Sequence, residues 1–326
     1  MTICNPRTEF ASLTVAAVVA LACSAIAGCA NNARMQAGAS PSSIPAHGPT
    51  IDIEDVYRFY AIYDAAGGHP TADRLQADYI DAGSPGLRTF AQQRNITGER
   101  IAEAIAARPA TYEDARRCMD VLPNVRRRLQ AALKELGRLY PEARFPPVTI
   151  AVGRGRPVGI GSPATGVQIG LEALCATDFL NPSVEDRFVH VIAHEFVHVQ
   201  QNPDLVDGDN LTVLEASLME GAAEFVTELI SGNVAYSRLS ARVAGREEEI
   251  ETAFLADLDK TDLSDWVYNT TVAELGDLGY WVGYRIAKAY YWNSADKDRA
   301  LREIIGLTDA KAFLAASGWH PGIQLP

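Results

Sequence analysis

His194 and His198 lie four residues apart in a stretch whose apolar side chains, Val191, Ile192, Phe196 and Val199, are distributed around a helix instead of along one face. A helix that is apolar all round belongs inside a domain, not on its surface. Four residues is close to one helical turn, so both imidazoles project from the same side and can reach one cation. Glu195 is rotated about a quarter turn from His194, which directs its carboxylate beside the cation and not onto it, the placement a general base needs. His190 extends the series by one more turn, but helical drift carries it about 80° from His198, so it reads as a structural or rim residue. The fold therefore has to enclose a helix that carries polar chemistry into its interior.

The 326 residues suffice for one large domain or two modest ones, and 48% hydrophobic against 21% charged content is ordinary for a globular protein. A net charge of -12 argues against nucleic acid as a partner, since phosphate recognition needs clustered Lys and Arg. The dense basic run Arg126-Arg127-Arg128 falls in a helical pattern and reads as a solvated face.

Residues 1 to 28 read as a secretory signal, because Arg7 precedes an apolar run from Ala11 to Ala27 that ends in small residues. The end of this run, Ile26-Ala27-Gly28-Cys29, resembles the bacterial lipobox. That resemblance implies that Cys29 is lipidated and begins a periplasm-facing lipoprotein. Ala30 stands where an inner-membrane retention signal has Asp, which points to the outer membrane. A plain signal peptide cut near Ala27 or Ala30, or an uncleaved anchor, is the alternative. Residues 29 to 50 are small, polar and proline-rich, and read as a flexible tether. Of the cysteines, Cys118 and Cys175 then remain. An oxidising compartment permits them to pair, and two separately buried thiols are the equal alternative.

Residues 51 to 145 carry a helical pattern: Val56, Phe59, Tyr60 and Tyr63 recur at one helical spacing, and Leu122, Val125, Leu129, Leu133 and Leu136 at another. After Pro146-Pro147 the pattern changes, and Val148 to Val152 and Val167 to Leu171 read as strands. Gly153-Arg154-Gly155 lacks the spacing and crossover unit of a dinucleotide loop. Asn181-Pro182 predicts the start of a helix that runs through Gln201 and stops at Pro203. Further helices are expected at 212 to 230, 246 to 258, 277 to 292 and 296 to 315. The expected class is α+β and mostly helical, with residues 146 to 326 forming the domain that carries the chemistry.

Leu218-Met219-Glu220-Gly221-Ala222-Ala223-Glu224-Phe225 resembles the ligand helix of gluzincin metallopeptidases, whose pattern is Glu-Gly-x-Ala-Glu followed by an aromatic. The resemblance implies a zincin-like fold in which His194, His198 and Glu220 hold Zn2+, with a fourth position left to water. Glu224 would accept a hydrogen bond from a ligand histidine, and Gly221 and Ala222 would let the two ligand helices approach. Glu215 is the rival third ligand. Gly279-Tyr280-Trp281-Val282-Gly283-Tyr284 is similar to a stretch of small bacterial predicted zinc-dependent proteases, and gluzincins commonly take an oxyanion donor from a downstream Tyr or His. Tyr284 or Tyr280 fills that role here, aromatic core packing being the alternative for each. Arg285 reads first as a salt-bridge partner and second as a carboxylate receptor. The strand from Val167 to Leu171 stands where the clan has an edge strand that pairs with substrate, or is an ordinary sheet edge.

The function this implies is zinc-dependent hydrolysis of peptide bonds by metal-activated water in the cell envelope, with Glu195 as base and a peptide or protein as substrate. The alternatives are an inactive zinc-binding lipoprotein serving as scaffold or chaperone, and a zinc amidase acting on a non-peptide substrate. An intact Glu195 speaks against the inactive binder, which needs no base.

Overall fold

Val56, Phe59, Tyr60 and Tyr63 share one face of helix α1 (Glu54–Ala65) and are all buried there, so the helical spacing does build the first layer of the core. The computed structural model describes residues 49–177, 179–269 and 276–326. The signal, Cys29 and the tether through residue 48 lie outside the described residues. After α1 come α2 (Ala72–Arg74), which continues as a π-helical segment through Asp81, α3 (Pro85–Arg94), α4 (Gly98–Ala107), α5 (Pro109–Ala115) and α6 (Leu122–Leu139). Leu122, Val125, Leu129, Leu133 and Leu136 line the buried face of α6. Arg128 on the same helix is not simply solvated: it pairs with Glu185 at 2.9 Å and Asp186 at 2.6 Å.

The sheet has four strands, β1 (Ile51–Asp52), β2 (Val148–Ala151), β3 (Gly159–Ser162) and β4 (Gly166–Gly170), in the order β1-β2-β4-β3. β2 is parallel to β1 and β4, and β3 runs antiparallel to β4 with Gly161 opposite Val167. The two strands expected from β-branched residues are present. The other two carry little signal, since β1 has only two residues and β3 reads Gly-Ile-Gly-Ser. This corrects the expected edge: β4, spanning most of Val167 to Leu171, is paired on both sides, and the edge strands are β1 and β3.

The remaining helices are α7 (Leu171–Ala176), α8 (Val184–His198), α9 (Pro203–Val206), α10 (Val213–Ser231), α11 (Leu239–Val243), α12 (Glu247–Asp257), α13 (Leu278–Asn293), α14 (Lys297–Ile305) and α15 (Ala310–Ser317). The fold is therefore α+β and mostly helical, with one small mixed sheet. The helix expected over 296 to 315 is two, broken after Gly306, whose N–H bonds back to the Arg302 carbonyl. Cys118 and Cys175 form a disulfide with Cα atoms 6.0 Å apart. It ties the segment after α5 to α7 across 57 residues, a loop whose closure in the unfolded chain is worth about 4 kcal/mol on the chain-entropy model. Among the described residues no helix is long and apolar enough to cross a membrane.

Candidate metal centre

α8 starts at Val184, two residues later than Pro182, because the Asn181 side chain accepts from the Ser183 N–H at 2.9 Å and turns the chain first. Ser183 then caps the helix, and Glu185 and Asp186 occupy its first turn. The helix is buried on every side from Arg187 to His198 except at Glu195, which is half-buried. α10 opens with a capping box in which Glu215 accepts from the Thr212 N–H at 2.8 Å. Glu215, the rival ligand, is thus committed to the helix end and is not at the centre. His190 is also elsewhere, with its Nδ1 2.8 Å from Ser231 Oγ.

α8 and α10 bring three side-chain atoms together. His194 Nε2 lies 3.0 Å from His198 Nε2 and 3.2 Å from Glu220 Oε2, and His198 Nε2 lies 3.1 Å from that same oxygen. Donors to one tetrahedral ion at about 2.0–2.1 Å stand roughly 3.3 Å apart, so this group fits a single metal ion. The opposite nitrogens are held as well. Gln201 Nε2 donates to the Met219 carbonyl at 2.8 Å, which turns Gln201 Oε1 toward His198 Nδ1 at 2.6 Å. Nδ1 therefore carries the proton, and Nε2 presents a lone pair inward. Behind His194, Glu224 Oε1 lies 2.7 Å from Nδ1 as an ion-pair contact, while Glu224 Oε2 accepts from the Tyr236 N–H at 3.1 Å.

Two imidazole lone pairs beside a carboxylate oxygen repel one another unless positive charge sits among them. Burial opposes charge on His194 and His198, yet Glu220, joined at His194 by Glu224, outweighs it and holds both pKa values above the usual imidazole range. Burial likewise opposes the charged form of Glu220, and the two histidines overcome it to hold this carboxyl far below its usual range. The arrangement stabilises a cation at the point where the three atoms meet.

A cavity of about 750 Å³ opens onto the three residues, with β3 from Gly159 to Ser162 forming one wall. Glu195 is on this cavity, and burial pushes its pKa up, opposed by the histidines and by a hydrogen bond from the Gly161 N–H. The two glycines of β3 face α8 so closely that a β-carbon on Gly161 would stand 1.8 Å from the Glu195 carbonyl oxygen. At the far end of β3, Ser162 Oγ lies 2.9 Å from Asp207 Oδ1.

The tyrosines divide differently from the sequence expectation. Tyr280 lines the cavity and stacks against the His194 ring, 6.0 Å between centroids and 19° between planes. Tyr284 does not line it. Its hydroxyl donates to Glu228 Oε2 at 2.9 Å and accepts from Lys288 Nζ at 2.8 Å, beside a separate cavity of about 280 Å³. Four residues advance a helix by about 6 Å, which carries Tyr284 on α13 past the centre to Glu228 on α10. The residue that sequence reading missed is Tyr268, whose hydroxyl donates to Glu220 Oε1 at 2.8 Å. It comes from a stretch between α12 and α13 that has no helical or strand periodicity. Gln201 and Tyr236 were missed too, and for Gln201 the three-residue offset from His198 is the one signal available.

One further expectation changes and another is borne out. Gly221 does not face α8: a β-carbon there would lie 2.0 Å from the Gly283 backbone of α13, so this glycine seats α13 against α10. Arg285 forms its salt bridge with Glu251, a fully buried carboxylate, at 2.5 Å.

Residues 173–305 match a family model described as a predicted Zn-dependent protease (DUF2268). The match spans α8, α10 and α13, and so takes in both histidines, Glu220 and the tyrosines. It leaves out the sheet and the helices before it. No curated protein and no solved structure matches the chain.

Proposed function

We propose that this chain is a zinc peptidase of the bacterial cell envelope, anchored through lipid on Cys29 and acting on peptide or protein substrates. What carries this reading is the convergence of His194, His198 and Glu220 at 3.0–3.2 Å with Glu195 on the wall of the same cavity. The family match supports zinc and proteolysis. Zinc held by these three residues would acidify a water to near-neutral pKa and polarise a carbonyl.

Glu195 takes the proton released by the attacking water and passes it to the leaving amine. Its raised pKa suits this exchange, and β3 lies close against its side chain at Gly159. Tyr268, whose hydroxyl lies in the cavity and donates to Glu220 Oε1 before substrate is present, turns that one O–H to the oxyanion that develops on the carbonyl. The free edge of β3 pairs with an extended peptide backbone, which aligns the scissile bond with Glu195. The Cys118–Cys175 disulfide supports an oxidising compartment.

Wild type and Glu195→Gln, both with zinc content measured, are assayed on unfolded protein and on a peptide library. Wild type cleaves, and Glu195→Gln keeps its zinc and loses activity by about 10²-fold or more. A zinc-loaded wild type that cleaves nothing overturns the peptidase reading.

A further inference from the structure

Tyr268 occupies a position that its own side chain does not secure. Its φ is 60°, a left-handed conformation that an aromatic residue adopts only when its surroundings impose it. It is also 60% exposed, and beside its bond to Glu220 the ring has an edge-on contact with Tyr280, 6.3 Å between centroids, so burial in a core is not what holds it. The constraint comes from Asp277, which is 2% exposed and itself has φ 60°. Asp277 Oδ1 accepts from the Asn269 N–H at 2.9 Å, and the Asp277 N–H donates to Asn269 Oδ1 at 2.6 Å. Tyr236 and the Tyr268 backbone lie close enough to the Asp277 carboxylate to favour its charged form. Asn269 is tied once more, through Nδ2 to the Ser264 carbonyl at 2.8 Å.

Among the described residues no cation pairs with Asp277. A buried carboxylate without a counter-ion is costly unless several donors converge on it, and the donors here lie on both sides of the centre. Tyr236 packs against Tyr280 at 4.3 Å, and Tyr280 stacks on His194. Tyr268 reaches Glu220 Oε1, the oxygen that does not face the histidines. Asp277 is thus bonded to Asn269, the residue that follows the hydroxyl-bearing Tyr268, and lies near Tyr236 in the aromatic group behind the first ligand.

We propose that Asp277 is a positioning residue for this centre: with Asn269 it clamps Tyr268 so that the hydroxyl orients the Glu220 carboxylate and stays aimed into the cavity. This rests on the zinc peptidase reading for its effect on turnover, but its effect on metal binding does not. Asp277→Asn keeps the volume and one acceptor while turning an amide N–H2 toward groups that are themselves donors.

The experiment is a double-mutant cycle of Tyr268→Phe and Asp277→Asn on the full chain, read by zinc affinity in chelator competition and separately by kcat and KM. Each single variant weakens zinc binding about tenfold, and the double variant is no weaker than either. On a cleaved peptide both lower kcat with little change in KM, again without adding. An Asp277→Asn protein with native zinc affinity while Tyr268→Phe is weakened overturns the clamp, as do effects that multiply in the double variant. A wild type that binds zinc but cleaves nothing removes the peptidase reading alone, and the affinity cycle still decides the clamp.

Discussion

A β-carbon on Gly159 would stand 2.7 Å from Oε1 of Glu195. The atom it meets is the end of a flexible side chain, whereas a β-carbon on Gly161 would meet the Glu195 backbone itself. The two glycines of β3 thus have different duties toward the same residue. One leaves room for the carboxylate, and the other lets the strand lie against the helix.

Gly159→Ala is expected to fold with near-native thermal stability and to bind zinc, but to lose about 10²-fold in kcat because the displaced carboxylate no longer transfers protons in line. Gly161→Ala is expected to lose about 1–3 kcal/mol of stability, or more, because strand and helix must separate. Thermal unfolding and steady-state kinetics on both variants check this. Full activity in Gly159→Ala would remove the carboxylate-clearance role.

On the zinc peptidase reading, the groups behind the histidines set the affinity of the centre. Gln201→Ala and Glu224→Gln are each expected to weaken zinc binding about 10–100-fold, while Glu195→Gln leaves affinity nearly unchanged. Chelator competition on the purified variants measures this. If Gln201→Ala binds as tightly as wild type, the 2.6 Å contact with His198 Nδ1 does not orient the ring.

Burial pushes the Asp277 carboxyl up to about 6, with the Asn269 and Tyr268 N–H groups and the Tyr236 hydroxyl opposing the shift and Glu220 adding to it. The folded protein therefore holds this proton more tightly than the unfolded chain does. The stability from that difference is complete below the ordinary aspartate pKa and is lost as pH rises through about 6. In metal-stripped protein, the stability of wild type relative to Asp277→Asn should fall by about 1 kcal/mol between ~pH 5 and ~pH 7. Urea unfolding at the two pH values tests this, and a constant difference would mean that Asp277 is already ionised at the lower one.

Much of the helical framework could be read from spacing. Thr212 and Glu215 mark the start of α10, and the five apolar positions of α6 all turn inward. Element ends shifted where a side chain intervened, as Asn181 does before α8. The sheet was harder, because a strand of glycines beside a helix has no alternating pattern to show, and its reason for being glycine is the helix it touches.

The amino-acid sequence by itself determined which helix is buried, that His194 and His198 share a face of it, and that Glu195 stands beside them, since these follow from the pitch of a helix. It also placed Glu220 and Glu224 one turn apart on a second helix. Only the tertiary structure decided that Glu220 Oε2 meets both Nε2 atoms, that Gly221 serves α13 and not α8, and that Tyr268, not Tyr284, reaches the centre. Helical pitch fixes directions within one element. Which atoms of separate elements and of a connecting segment come within 3 Å of one another depends on packing and on buried clamps such as Asp277–Asn269, and these have no period to read.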